Sequence, residues 1–288
     1  MEPAPLPHLP PAAVELVAAH LARDFATNSQ PRDPRRHALP FVCRAWRRAL
    51  ELAPELHATM CIADDDLWRP TPGGDAVAYF PLAAERMLSW VRARAEHVRD
   101  LSVDISWRHE RCAAADLVAA LRGVLAAVAP RVEVLRLAVD GAPMAAARAW
   151  TELFKTPARD GAVSPRLREL RLVLDGRGAA SEARASIQGA DALAAAARCP
   201  SLQRLLVVAR GVKLPALPPA LARAPAIREV DLEFARGGGP RLPAKHAGAL
   251  PLPPALRRLH LVRCPLLLQD VLERLPPGLE ELEAVEDE

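Results

Sequence analysis

Seven short segments of the chain share one pattern, and that repetition limits the fold more than any single motif does. The segments are VRDLSV from Val98, VEVLRL from Val132, LRELRL from Leu167, LQRLLV from Leu202, IREVDL from Ile227, LRRLHL from Leu256 and LEELEA from Leu279. Their first, fourth and sixth places are apolar, with Ala284 at the end of the seventh as the weakest member. A fainter eighth copy, HATMCI, runs from His57 to Ile62.

Each pattern ends in alternating polar and apolar residues, the period of a strand with one buried face. Between several copies lie helical segments, among them CAAADLVAALRGVLAAVA from Cys112, MAAARAWTELF from Met144 and ADALAAAARC from Ala190. One unit is therefore strand, turn, helix and return. Such a unit cannot bury its leucines alone; stacked on its neighbours it forms a parallel sheet with a continuous core. Successive copies start 34, 35, 35, 25, 29 and 23 residues apart, and the longer spacings leave room for a full helix.

These copies resemble the leucine-rich-repeat family over roughly the C-terminal three quarters of the chain. The resemblance implies an α/β solenoid with its parallel sheet on the concave side and helices on the convex side. RCPSL from Arg198 and RCPLL from Arg263 resemble the cysteine-containing subtype; Cys199 and Cys264 read as small buried hydrophobes and not as reactive thiols. In that family the ninth place usually holds Asn or Cys, whose side chain satisfies backbone groups where the chain leaves the strand. Here it holds Ser106, Asp140, Asp175, Arg210, Ala235, Cys264 and Asp287. Only Cys264 matches, so turns of varied shape are expected.

Ahead of the repeats, LPPAAVELVAAHL from Leu9 has a proline-containing start and then Val14, Val17 and Leu21 at helical spacing. FVCRAWRRALELAPEL from Phe41 places Val42, Trp46 and Leu50 on one face of a second helix. Read from the residues alone, these helices are a cap that seals the first repeat. Their words also resemble an F-box: Leu9-Pro10, Val17, Leu21, then Val42-Cys43-Arg44-Ala45-Trp46 and a closing PEL. The two halves are joined by FATNSQPRDPRRHALP, a longer link than that family usually has.

The resemblance implies a small all-α module at 1–57, with the solenoid and its seven or so repeats at 58–288. Leu9, Pro10, Val17, Leu21, Val42 and Trp46 would then dock on a Skp-type adaptor. The same layout implies a substrate-recognition subunit of a Skp-cullin-F-box ubiquitin ligase, which holds a protein target and does no chemistry itself. The alternative is a leucine-rich-repeat interaction scaffold whose N-terminal helices only cap the core.

The third, fifth and seventh places of each unit should face the concavity. Down the stack they include an apolar block, Val173, Leu206 and Val208, beside Arg136, Arg171 and Arg204, and then an acidic set, Glu229, Asp231 and Glu233. A mixed apolar and charged surface suits a protein target, the charges setting specificity and on-rate. The other reading is a solvated face whose Arg and Glu residues pair across the stack, each exposed pair contributing about 0 to 1 kcal/mol. Two segments fall outside the repeat and read as long loops: DDDLWRPTPGGDAVAYFP from Asp64 and ARGGGPRLPAKHAGALPLPP from Ala235. Trp68, Tyr79 and Phe80 make the first a candidate second contact.

Composition excludes several classes. A chain of 288 residues that is 51% apolar can bury a large core. The net charge is only +3, and no basic stripe marks a nucleic-acid footprint. The longest apolar stretch, LVAALRGVLAAVAP from Leu117, carries Arg122 and is too short to span a bilayer. Five scattered cysteines and no apolar leader point to a cytosolic or nuclear setting. No catalytic residue, cofactor or metal site is expected. HERC from His109 lacks the second histidine of a zinc helix, and GGG from Gly237 is followed by Pro240 and not by a phosphate-binding lysine.

Overall fold

The computed structural model describes residues 58–63, 76–107, 113–142, 144–155, 164–177, 182–212, 219–234, 252–263 and 275–285, and Ala13. Its strands are β1 (Thr59–Ala63), β2 (Asp100–Ser106), β3 (Val134–Asp140), β4 (Glu169–Asp175), β5 (Arg204–Arg210), β6 (Glu229–Phe234), β7 (Arg258–Val262) and β8 (Glu281–Val285). They form one sheet, parallel throughout, in which spatial order equals chain order. Each unit therefore adds one strand beside the last, the arrangement of a solenoid-like α/β stack. All seven expected copies, and the fainter one as β1, supply a strand.

The register follows from the apolar pattern. The fourth-place residues Leu101, Leu135, Leu170, Leu205, Val230, Leu259 and Leu282 form one row across the sheet. The sixth-place residues form the next row, from Val103 and Leu137 to Leu261 and Ala284. A one-residue slip in any unit would turn both rows away from the core, so burial fixes the pairing. The backbone carries the same repeat. At the second place, the N–H of Glu133 donates to the Arg99 carbonyl (2.7 Å), Arg168 to Glu133 (2.7 Å), Gln203 to Arg168 (2.8 Å), Arg228 to Gln203 (2.8 Å), Arg257 to Arg228 (2.7 Å) and Glu280 to Arg257 (2.8 Å). One ladder position thus runs unbroken through all seven units.

Among the described residues four α-helices link the first five strands: α1 (Ala76–Arg92), α2 (Ala114–Val128), α3 (Ala145–Lys155) and α4 (Glu182–Ala196). The connections within the 34- and 35-residue spacings hold α2, α3 and α4, and among the described residues of the 25-residue spacing between the β5 and β6 copies there is a 3-10 turn, Leu221–Arg223. Apolar residues at helical spacing bind α2 to the core: Leu117, Val118, Leu121, Val124, Leu125 and Val128 are all buried. In α3, Trp150 is buried, donates its indole N–H to the Ala192 carbonyl in α4 (3.1 Å), and meets Phe154 edge-on at 4.8 Å between ring centroids.

Two boundaries differ from the sequence reading. The segment from Asp64 is not a loop throughout, because its last residues open α1. Gly73, Gly74 and Pro81 read as breakers, but Met87 and Val91 bury against the core and hold the helix. Likewise α4 begins at Glu182, well before the alanine-rich run at Ala190. The segment at 235–251 lies outside the described residues, as does Cys264. Cys199 is buried, and burial pushes its thiol up to about 12 despite the opposing charge of Arg198, so it is inert at neutral pH.

The turns after β3, β4 and β5 share a regularity at the tenth place, held by Gly141, Gly176 and Gly211. Gly141 and Gly211 have φ of +79° and +64°, and a Cβ on Gly176 would stand 2.6 Å from the Gly211 carbonyl oxygen. Beside them Asp175, at the ninth place, is only 1% exposed. Its carboxylate accepts the backbone N–H of Gly141 (3.2 Å) and of Arg177 (3.0 Å), and the Arg177 guanidinium through Nε (3.0 Å) and Nη2 (2.9 Å). Arg177 also pairs with Asp140. At this turn an aspartate thus satisfies the backbone groups that an Asn or Cys was expected to satisfy. Burial would raise the Asp175 pKa, but the Arg177 and Gly141 hydrogen bonds and the Arg177 charge outweigh it and hold the carboxyl below its ordinary value.

Candidate recognition face

The face of the sheet opposite the helices is built from the third, fifth and seventh places, as the alternation of a strand requires. Register sets Glu169, Arg204, Glu229, Arg258 and Glu281 side by side in the third-place row. The fifth-place row runs Ser102, Arg136, Arg171, Leu206, Asp231, His260 and Glu283. Val173, Val208 and Glu233 are neighbours in the seventh-place row. All nine residues expected on this face, Arg136, Arg171, Val173, Arg204, Leu206, Val208, Glu229, Asp231 and Glu233, lie on it.

Most of the charges are occupied by one another. Arg136 pairs with Asp100 at 2.9 Å and with Glu169 at 3.6 Å. Arg204 lies among Glu169 (4.0 Å), Glu229 (3.5 Å) and Asp231 (3.2 Å). Arg258 bridges Glu229 (3.5 Å) and Glu281 (3.1 Å), while His260 stands between Asp231 (3.7 Å) and Glu283 (3.6 Å). Opposite charges in adjacent strands stabilise the stack modestly, and together they fix these side chains across the sheet. The internal pairing that composition left open therefore does occur, and it holds Arg136, Arg204, Glu229 and Asp231.

What this leaves for a ligand is narrower than the sequence suggested. Among the described residues Arg171 has no ion-pair partner and its side chain is exposed; Glu233 likewise is exposed and unpaired. Leu206, beside Arg171 in the same row, is half-buried. Val173 and Val208 are each only 6% exposed, although they lie on the face away from the helices and outside the main core cluster. They offer little open surface. The geometry is thus a half-buried leucine beside a guanidinium with no ion-pair partner among the described residues, with two buried valines next along the same strands and ion pairs in the strands on both sides.

The residues expected to grip an adaptor, Leu9, Pro10, Val17, Leu21, Val42 and Trp46, lie outside the described residues, as does Trp68. Among the described residues no group of three or more His, Cys, Asp or Glu is placed to hold a metal ion, and no helix is long and apolar enough to cross a membrane. The turn cluster of Asp140, Asp175 and Arg177 was missed in the sequence, although the Asp-Gly pairs at 140–141 and 175–176 fall at the same place in successive units. No protein-family model matches the chain, and no curated protein matches it significantly.

Proposed function

We propose that the chain is a non-catalytic, protein-binding receptor: the substrate-recognition subunit of a Skp-cullin-F-box ubiquitin ligase, acting in the cytosol or nucleus. In this reading the stack is a leucine-rich-repeat solenoid and the face opposite its helices is the concave one. The supporting observation is the site at mid-stack, where among the described residues the exposed Arg171 has no ion-pair partner beside the half-buried Leu206, while their charged neighbours pair with one another. A fixed surround lowers the entropy lost on binding, and a leucine next to an arginine offers one apolar and one directional contact. The adaptor half of the proposal rests on the N-terminal words from Leu9 to Trp46. The test is a titration of purified Skp adaptor against the wild type and a Leu9→Asp, Trp46→Ala double variant whose fold is verified by circular dichroism. Binding by the wild type that the variant loses is the expected result. A well-folded wild type that does not bind overturns the adaptor role and leaves an interaction scaffold with a helical cap.

A further inference from the structure

Two opposite charges flank β5 on the open face. Among the described residues Arg171 on β4 and Glu233 on β6 are exposed and have no ion-pair partner. The acidic groups nearest Arg171 are engaged elsewhere: Glu169 pairs with Arg136 and Arg204, and Asp231 with Arg204 and His260. On the strand between, Leu206 stands beside Arg171 and Val208 beside Glu233. The two charges therefore end a diagonal whose middle is apolar. Neighbouring strands are about 4.8 Å apart and residues rise about 3.3 Å along a strand, so two strands across and two residues along separate the backbones of Arg171 and Glu233 by roughly 12 Å.

We infer that this diagonal binds an extended segment of a partner protein with an acidic residue at one position, an aliphatic residue two further on and a basic residue two beyond that. In an extended chain those three side chains share one face and span about 13 Å, which matches the diagonal. The acidic residue meets Arg171, the aliphatic one lies over β5 against Leu206 and Val208, and the basic one meets Glu233. Charge complementarity also sets the discrimination, because a basic residue over Arg171 or an acidic one over Glu233 is repelled. A second diagonal runs from Arg171 to the exposed Asp104 on β2, but it crosses Ala138 and the ion-paired Arg136 and lacks an aliphatic side chain of the size of Leu206. The inference rests on the reading of this face as a recognition surface and narrows it to the chemistry of the partner.

The test uses the full chain and fluorescein-labelled peptides of serine and glycine that carry aspartate, leucine and arginine at every second position, titrated by fluorescence anisotropy. The wild type should bind this peptide about tenfold more tightly than one with arginine at both ends, one with aspartate at both ends, or one in which the three residues are adjacent and too close to span the diagonal. Preference should follow the protein. Arg171→Glu should favour the two-arginine peptide and Glu233→Lys the two-aspartate peptide, a reversal that misfolding cannot produce, while Asp104→Lys keeps the wild-type order. Equal binding of all peptides by the wild type, or an order that Arg171→Glu and Glu233→Lys leave unchanged, overturns the proposal. Binding that emerges only when residues 236–250 are replaced by a glycine-serine linker assigns the face to the chain's own segment and overturns it too. If the preference is absent yet an Arg171→Glu, Leu206→Asp variant still loses a cellular partner, the proposed chemistry falls and the recognition face stands; if no partner is lost, both fall.

Discussion

The units around β4 and β5 and the unit at β8 are written in nearly the same letters and end up in different environments. LRELRL and LQRLLV bury all three of their apolar places between two strands each. LEELEA has the same ladder bond and the same register, yet Leu279 and Leu282 are only half-buried and Ala284 is exposed. The pattern specifies strand and register; the depth of burial follows the strands on either side, because the β6 and β7 units, each between two strands, bury the same three places although only a 3-10 turn is described between β5 and β6.

That contrast can be broken by substitution. Leu205→Ala should cost about 2 to 5 kcal/mol, because the site is enclosed on every side and cannot collapse fully. Leu282→Ala should cost about 1 kcal/mol, since part of the side chain is already in water. Chemical denaturation of both variants checks the ordering, and equal losses would mean that burial does not distinguish the two ends.

The turn at Asp175 sharpens the comparison with acid. Asp175→Ala should cost about 1 to 3 kcal/mol by removing the buried carboxylate that accepts the part-buried N–H groups of Gly141 and Arg177 and the Arg177 guanidinium. Because the folded-state pKa lies below the unfolded value, the ionised carboxylate stabilises the fold above about pH 4, and this contribution fades as pH falls through the folded pKa. Thermal unfolding followed from neutral to acid pH should show a shallower fall for Asp175→Asn than for the wild type.

The smallest effect belongs to the pinned charges of the open face. Arg204→Ala should change stability by about 0 to 1 kcal/mol despite its three acidic neighbours, because the side chain is nearly half exposed. Its ionic-strength dependence, compared with the wild type by thermal unfolding, should be correspondingly slight.

Much of this architecture was legible because the first, fourth and sixth places repeat, and a repeat of apolar rows leaves the strands one register. The face residues were legible for the same reason, since alternation assigns them to the side opposite the core. Their availability was not legible. That Arg136 and Arg204 are held by Asp100, Glu169, Glu229 and Asp231, while Arg171 has no such partner among the described residues, depends on side-chain reach between strands, which no spacing in a single unit encodes. Helix α1 was missed because Pro81 and the preceding glycines argue locally against it, whereas Met87 and Val91 win the position through tertiary burial. Asp175 was passed over because it is not the residue type the resemblance led one to look for, although its carboxylate oxygens accept the same backbone donors.

The most direct test of the recognition face is quantitative co-purification from cells of the wild type and an Arg171→Glu, Leu206→Asp double variant brought to equal folded fractions. The expected result is that both recover a Skp-type adaptor equally, while at least one other partner comes with the wild type and is lost from the variant. Retention of every partner by the folded variant would contradict the assignment of this face.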